Sequence, residues 1–214
     1  RRDPSLDLAR EVFPQLCDAV VELHEGFDPP IIHRDLKPGN VILSRGCLTL
    51  IDFGIARAWR EGAEADTASF GTRAYAPPEQ FGYGQTDVRS DVYALGMLLY
   101  YLLTEEVPSP RLVGEGFAAP AVPVPLRAVL SSATAFDPAA RYQSARDLRA
   151  AFEAACAQAD AAGGRASGGG AEDARGAAVA APAMAIAHAA PELAPAEVPA
   201  MPGVPAAAMP VPGG

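Results

Sequence analysis

The sequence predicts a mainly helical fold that contains one small β-hairpin and is followed by a low-complexity tail. Apolar residues recur at three- and four-residue spacings in several stretches before residue 160, and two short apolar runs flank a turn near residue 45. From residue 161 onward the chain is almost entirely Ala, Gly and Pro and has no aromatic residue. Such a segment cannot offset the entropy lost on ordering. We therefore expect a folded unit over 1–159 and a disordered tail over 160–214.

The first half of the folded unit divides into a helix and a hairpin. Apolar residues over 6–24 lie on one helical face, and Gly26 with the following prolines ends the helix. The runs 41–43 and 48–51 lie on either side of Ser44-Arg45-Gly46, which is typical of two strands joined by a turn. The polar and small residues of 55–75 then predict a long loop, and long loops are usually functional or mobile.

The second half is predicted to be helical. Residues 91–103 are apolar on nearly every side, which indicates a central buried helix. After the proline-rich 108–125, two further helices are predicted over 126–135 and 145–157, the last behind Ser144 as N-cap.

Composition excludes several classes of function. The formal net charge is −9 without a Lys/Arg run, so we expect no nucleic-acid partner. Cys17, Cys47 and Cys156 show no C-x-x-C spacing, which argues against a disulfide framework or a zinc site and fits a cytoplasmic protein. The longest apolar run, 92–103, is shorter than the roughly 20 residues that span a bilayer, so no membrane segment is predicted in this chain.

Two motifs carry the residue types that phosphoryl transfer requires. The reaction needs a base for the acceptor hydroxyl and charges that neutralise the phosphate oxygens. The stretch His33-Arg34-Asp35-Leu36-Lys37-Pro38-Gly39-Asn40 offers a carboxylate, an ammonium and an amide, and Asp52-Phe53-Gly54 offers a second carboxylate. The predicted hairpin between these motifs brings the two acidic residues near each other.

Three later segments extend this pattern, and the five together resemble bacterial-type (Hanks-type) serine/threonine protein kinases. The catalytic and metal loops of that family are followed, in the same order, by Gly71-Thr72 with Tyr75-Ala76-Pro77-Pro78-Glu79, by Ser90-Asp91-Val92-Tyr93-Ala94-Leu95-Gly96, and by Asp137-Pro138-Ala139-Ala140-Arg141-Tyr142. The similarity covers about residues 6–157. Pro77 stands where alanine is usual, a variant familiar among bacterial members. The resemblance implies the C-terminal lobe of the protein-kinase fold.

The resemblance also implies a role for each site residue, with ATP and Mg²⁺ as cofactors and a protein Ser/Thr hydroxyl as acceptor. Asp35 would be the catalytic base, and Lys37 would lie beside the γ-phosphate. Asn40 and Asp52 would hold the metal, and Ile42 would contact the nucleotide. Thr72 would orient Asp35 and Lys37, which is the serine/threonine form.

Other positions are implied to be structural or regulatory. His33, Phe53, Gly54 and Asp91 resemble residues that hold the shape of the loops. Glu79 and Arg141 resemble a buried ion pair of the family. Arg34 suggests control by phosphorylation in the long loop, where Thr67 and Ser69 are the candidate acceptors; they are as readily explained as ordinary loop hydroxyls.

The other half of an ATP cleft is missing from these residues. Lys37 is the only lysine, and nothing before Gly39 reads G-x-G-x-x-G, so we expect the N-terminal lobe to be absent and the isolated chain to be inactive or nearly so. An apolar surface around Ile42 and Phe53 would then be exposed. A non-catalytic interaction module, or half of a split kinase that needs an N-lobe in trans, is the alternative. Small-molecule phosphotransferases share the H-x-D-x-x-x-x-N loop but lack the segment 71–79.

Overall fold

The computed structural model describes residues 4–53, 57–58, 74–166 and 184–185. In this part of the chain helices predominate, which confirms the predicted fold class. The helices are α1 (Leu6–Glu25), α2 (Val88–Thr104), α3 (Pro110–Gly114), α4 (Val124–Ala133) and α5 (Ala145–Ala166). The strands are β1 (Ile31–Ile32), β2 (Val41–Ser44), β3 (Cys47–Leu50), β4 (Arg57–Ala58) and β5 (Met184–Ala185).

Helix α2 is the centre of the lobe. It begins at a capping box in which the Asp87 side chain accepts the Arg89 N–H while the Ser90 hydroxyl accepts the Asp87 N–H. Its side chains are buried on nearly every side, as the continuous apolar run predicts. Helices α1, α4 and α5 pack around it, and Phe13 of α1 meets Phe152 of α5 at a centroid distance of 4.9 Å.

The predicted hairpin is present and lies next to α1. β2 pairs antiparallel with β3, with Val41 opposite Leu50. The turn between them places Arg45 and Gly46 at positive φ angles of 51° and 81°, a conformation that glycine adopts without steric cost. Because of this pairing, the hairpin returns the chain to the level of residue 40 just before Asp52.

Three features were not predicted from the sequence. β1 pairs with β4, β5 adds to the edge of β2 with Ala185 opposite Ile42, and the short α3 lies in the proline-rich stretch. Helix α5 continues to Ala166, past residue 160 where the tail was predicted to begin. Apart from these residues of α5 and β5, the predicted tail lies outside the described residues. Within the described ranges, no helix is both long and apolar enough to cross a membrane.

Candidate active site

The backbone at His33 and Arg34 is held by Asp91, a fully buried carboxylate near the start of α2. The N–H groups of His33 and Arg34 donate to Asp91 Oδ2 and Oδ1 at 2.8 and 2.9 Å. Arg34 has a φ of 69°, a left-handed conformation that costs a non-glycine residue about 1–2 kcal/mol. Charge-assisted hydrogen bonds of this kind offset that cost and fix the chain that leads into Asp35.

His24 completes the set of groups around Asp91, and sequence reasoning missed it. Its Nε2 lies 2.9 Å from Asp91 Oδ2, and the histidine is 8 % exposed at the end of α1. The sequence gives His24 no visible partner, because the two residues are 67 positions apart. The contact links the end of α1 to the first turn of α2.

Two predicted site residues, Lys37 and Asn40, converge on a third, Asp35. The Lys37 ammonium donates to Asp35 Oδ2 at 2.7 Å, and the Asn40 amide nitrogen donates to the same oxygen at 3.1 Å. The Asn40 amide also donates to the Asp35 carbonyl oxygen at 2.8 Å. The 3₁₀ helix Pro38–Asn40 makes this possible, since it folds the chain back within a few residues. One carboxylate therefore has a cation and an amide fixed beside it.

Asp52 is positioned by the hairpin that follows Asn40. The Ile51 N–H donates to the Asn40 carbonyl oxygen at 3.0 Å, so the residue before Asp52 is tied directly to the first motif. Asp52 itself has a φ of 63°, and the ring of the next residue, Phe53, is tilted at 49° to the His33 ring with their centroids 4.9 Å apart. Gly54 lies outside the described residues. The two predicted motifs are thus joined through backbone and ring contacts.

The donor set at Asn40 and Asp52 fits Mg²⁺. The Asn40 amide nitrogen is turned to Asp35, which leaves the amide oxygen as the atom for a metal. Mg²⁺ takes oxygen ligands and usually binds one or two protein groups together with phosphates and water. Among the described residues no cluster of three or more His, Cys, Asp or Glu could hold a metal alone. Asn40 and Asp52 are therefore the two residues here that could hold a metal which also has phosphate and water ligands.

Glu79 and Arg141 form the buried ion pair that the resemblance implied. The guanidinium donates to both Glu79 oxygens, at 2.7 and 2.9 Å, and the side chains are 4 % and 0 % exposed. Arg141 also lies over the Tyr93 ring, 5.0 Å from its centroid. This pair ties the 3₁₀ helix Pro78–Phe81 to the segment before α5.

A second residue of that 3₁₀ helix reaches the candidate site. Gln80 donates from Nε2 to the Arg34 carbonyl oxygen at 2.8 Å, and both residues are buried. No motif in the sequence signals Gln80.

Burial raises the pKa of the Tyr75 phenol, so this side chain remains un-ionised. Thr67, Ser69 and Thr72 lie outside the described residues.

Two apolar side chains adjacent to Asp52 in the sequence are exposed to solvent. Phe53 is 46 % exposed and Ile51 is 36 % exposed. Ile42 is half-buried on β2, where β5 pairs with it. Of the two residues around which an apolar surface was predicted, Phe53 is exposed and Ile42 is half-buried, and Ile51 adds a second exposed side chain.

The sequence of this chain matches known protein kinases. A family model described as "Protein kinase domain" matches residues 4–120. Serine/threonine-protein kinase PknB of Mycolicibacterium smegmatis is 37% identical over 162 residues, which are 66% of this chain and 25% of that protein. A probable serine/threonine-protein kinase of Streptomyces coelicolor is 42% identical over 142 residues, 58% of this chain and 21% of that protein. PknB of Mycobacterium tuberculosis is 38% identical over 165 residues, 66% and 25% of the two chains. The chain thus spans about a quarter of these relatives.

Proposed function

Because this chain belongs to the bacterial type of the serine/threonine protein kinase family, we propose that residues 1–159 are a catalytic lobe for phosphate transfer. The donor is the γ-phosphate of ATP, and the acceptor is a Ser or Thr hydroxyl of a protein substrate in the cytoplasm. The observation that supports this most directly is the convergence of Lys37 and Asn40 on one oxygen of Asp35. Base, cation and amide are then fixed in one place before any substrate arrives.

Each residue has a distinct task in this proposal. Asp35 aligns the acceptor hydroxyl and receives its proton. Lys37 places a positive charge beside the Asp35 carboxylate. In this position the ammonium would stabilise the negative charge that develops on the transferred phosphate. Asn40 holds the Asp35 side chain with its amide nitrogen, and its oxygen together with Asp52 would hold Mg²⁺. The metal, when bound, would neutralise phosphate charge. Thr72 would orient Asp35 and Lys37, and Ile42 would pack against the nucleotide.

The polypeptide of these 214 residues is proposed to be inactive, or nearly so, on its own. Its sequence has no glycine-rich loop before Gly39 and no lysine other than Lys37, and these are the two parts that hold the ATP phosphates from the second side in this family. The exposed Ile51 and Phe53 favour a second candidate function, a half that requires an N-lobe in trans.

Regulation of the same site is proposed to act through Arg34. A phosphate on Thr67 or Ser69 would gain charge-assisted hydrogen bonds from the guanidinium and order the loop that precedes Tyr75. Since the Arg34 backbone is already fixed by Asp91 and Gln80, the arginine offers a stable anchor for such a phosphate.

The test joins the chain to the N-lobe of PknB from M. smegmatis and measures phosphate transfer from labelled ATP to a protein substrate. We expect no transfer by the 214-residue chain alone and clear transfer by the chimera. Asp35→Asn should then reduce the rate about 10²- to 10⁴-fold, the usual contribution of general base catalysis. Asp28→Asn, at an exposed carboxylate in the turn after α1, is the matched control and should leave the rate unchanged. Full activity of Asp35→Asn would refute the assignment.

A further inference from the structure

Gln80 holds the peptide group that joins Arg34 to Asp35. Its side-chain nitrogen Nε2 donates to the Arg34 carbonyl oxygen at 2.8 Å. A peptide group is planar, so this contact also fixes the direction of the Asp35 N–H, which donates to His33 Nδ1 at 3.4 Å. The peptide plane that leads directly into the candidate base is therefore bound on its carbonyl side by a residue 46 positions beyond Arg34.

Gln80 and Asp91 act on opposite sides of Arg34. Asp91 Oδ1 accepts the Arg34 N–H at 2.9 Å and so holds the peptide before this residue, whereas Gln80 holds the peptide after it. Between the two contacts Arg34 has a φ of 69°. A residue with a Cβ keeps such a left-handed conformation only where its surroundings impose it, and these positions cluster at functional sites. The two hydrogen bonds supply that constraint at the residue before Asp35.

Stability alone does not explain a glutamine at this position. The Gln80 side chain is buried, with 1 % of the residue exposed, and its Oε1 has no hydrogen-bond partner among the described residues. A buried amide oxygen without a partner destabilises a fold, and an apolar side chain of similar size, such as methionine, would avoid that cost. A polar group placed where it costs stability indicates a functional use. Here the useful atom is Nε2, which binds the backbone next to Asp35.

The position of Gln80 is itself fixed by its neighbours. Its own N–H donates to the Pro77 carbonyl oxygen at 3.1 Å within the 3₁₀ turn. The preceding residue, Glu79, accepts from the Ser90 hydroxyl at 2.7 Å and from both terminal nitrogens of Arg141. A donor whose backbone is anchored in this way can hold its acceptor in one place.

We propose that Gln80 is a positioning residue for phosphate transfer, which acts by holding the Arg34–Asp35 peptide so that the Asp35 carboxylate meets the acceptor hydroxyl in the productive geometry. The inference rests on the proposed role of Asp35 as base. Gln80 acts through the backbone and not on the reacting atoms. A displacement of a catalytic group by about 1 Å can lower the rate about 10²-fold. Loss of the Nε2 donor should therefore affect the transfer step and leave ATP binding unchanged.

The first experiment introduces Gln80→Met into the chimera with the PknB N-lobe and measures kcat and the KM for ATP. We expect kcat to fall about 10- to 100-fold while KM stays the same. Gln143→Met is the matched control. Gln143 also donates from Nε2 to a backbone carbonyl oxygen, that of Arg141 at 2.6 Å, but it is exposed and lies in the segment before α5. Its replacement should change neither constant.

Two further measurements use the 214-residue chain and need no activity. The urea midpoint of Gln80→Met should stay close to that of the unchanged chain, because removal of the unpartnered Oε1 offsets the lost hydrogen bond. Amide hydrogen exchange, followed by NMR on ¹⁵N-labelled chain, should be about tenfold faster at Asp35 in the variant. Amides within α2 should exchange at the same rate in both chains.

The results separate this proposal from the proposed function. An active chimera whose kcat is unchanged by Gln80→Met would overturn the positioning role. So would a rate that falls together with the urea midpoint, because Gln80 would then only support the fold. If the chimera shows no transfer at all, the proposed function fails, and exchange at Asp35 decides the hold of Gln80 on the peptide. Faster exchange at Asp35 alone would support that hold, and unchanged exchange would refute it.

Discussion

Replacing Arg141 with methionine tests how far the lobe depends on its buried ion pair. The variant keeps most of the side-chain volume but removes the only cation that contacts Glu79 among the described residues. Leaving a buried carboxylate without its partner costs about 3–5 kcal/mol. The guanidinium also donates to three backbone carbonyl oxygens, those of Arg89, Ala135 and Phe136. Losing these bonds pushes the cost toward the upper end of that range.

This loss is large compared with the stability of a domain of this size, which is about 5–15 kcal/mol. With a urea m-value of about 2 kcal/mol per molar, a loss of about 5 kcal/mol lowers the urea midpoint by about 2.5 M. The assay is urea unfolding of the 214-residue chain followed by circular dichroism at 222 nm, a wavelength that reports helix content.

Arg149→Met is the matched control. Arg149 also pairs with two carboxylates, Asp18 and Glu153, but its side chain is 37 % exposed. Exposed ion pairs contribute about 1 kcal/mol at most, so its midpoint should shift little. Equal shifts for the two methionine variants would refute the reasoning. Combining Glu79→Met with Arg141→Met should recover part of the loss, since no buried charge is then left alone.

Two substitutions and one labelling experiment test separate parts of the lobe. Gly96→Ala places a Cβ 2.8 Å from the Ala133 Cβ, so we expect it to loosen the α2–α4 contact by about 1–3 kcal/mol; an unchanged urea midpoint would contradict this. Asp91→Asn removes the charge that binds two loop amides and should speed their hydrogen exchange about tenfold, measured by mass spectrometry. Native labelling with a thiol reagent should modify exposed Cys47 first and spare Cys17, whose pKa is raised by burial; equal rates would be the contrary result.

The sequence predicts best what is contiguous along the chain. Asp35, Lys37 and Asn40 lie within a few residues of one another, and their meeting requires only one turn of 3₁₀ helix. The long apolar run likewise predicts α2, because a helix buried on all sides needs no amphipathic pattern. In both cases local geometry already determines which side chains meet.

Contacts between distant segments are the part that sequence reasoning misses. The His24–Asp91 hydrogen bond spans 67 positions and that of Gln80 with Arg34 spans 46, and neither pair shares a recognisable spacing. Strands of two residues such as β4 and β5 are too short to show a period. The last turns of α5 are rich in alanine, a strong helix former that leaves no apolar stripe to detect.

Three contacts between distant segments together explain how the backbone of the candidate site is held in the described lobe. Ser90 donates to Glu79 Oε1 at 2.7 Å, and the next residue, Asp91, binds the backbone at Arg34. Gln80, beside Glu79, binds the Arg34 carbonyl oxygen, which closes a ring of hydrogen bonds between α2, the loop and the 3₁₀ helix Pro78–Phe81. Every member of this ring belongs to the described lobe. We therefore expect the chimera with the PknB N-lobe to bind nucleotide without a change in the backbone around Asp35.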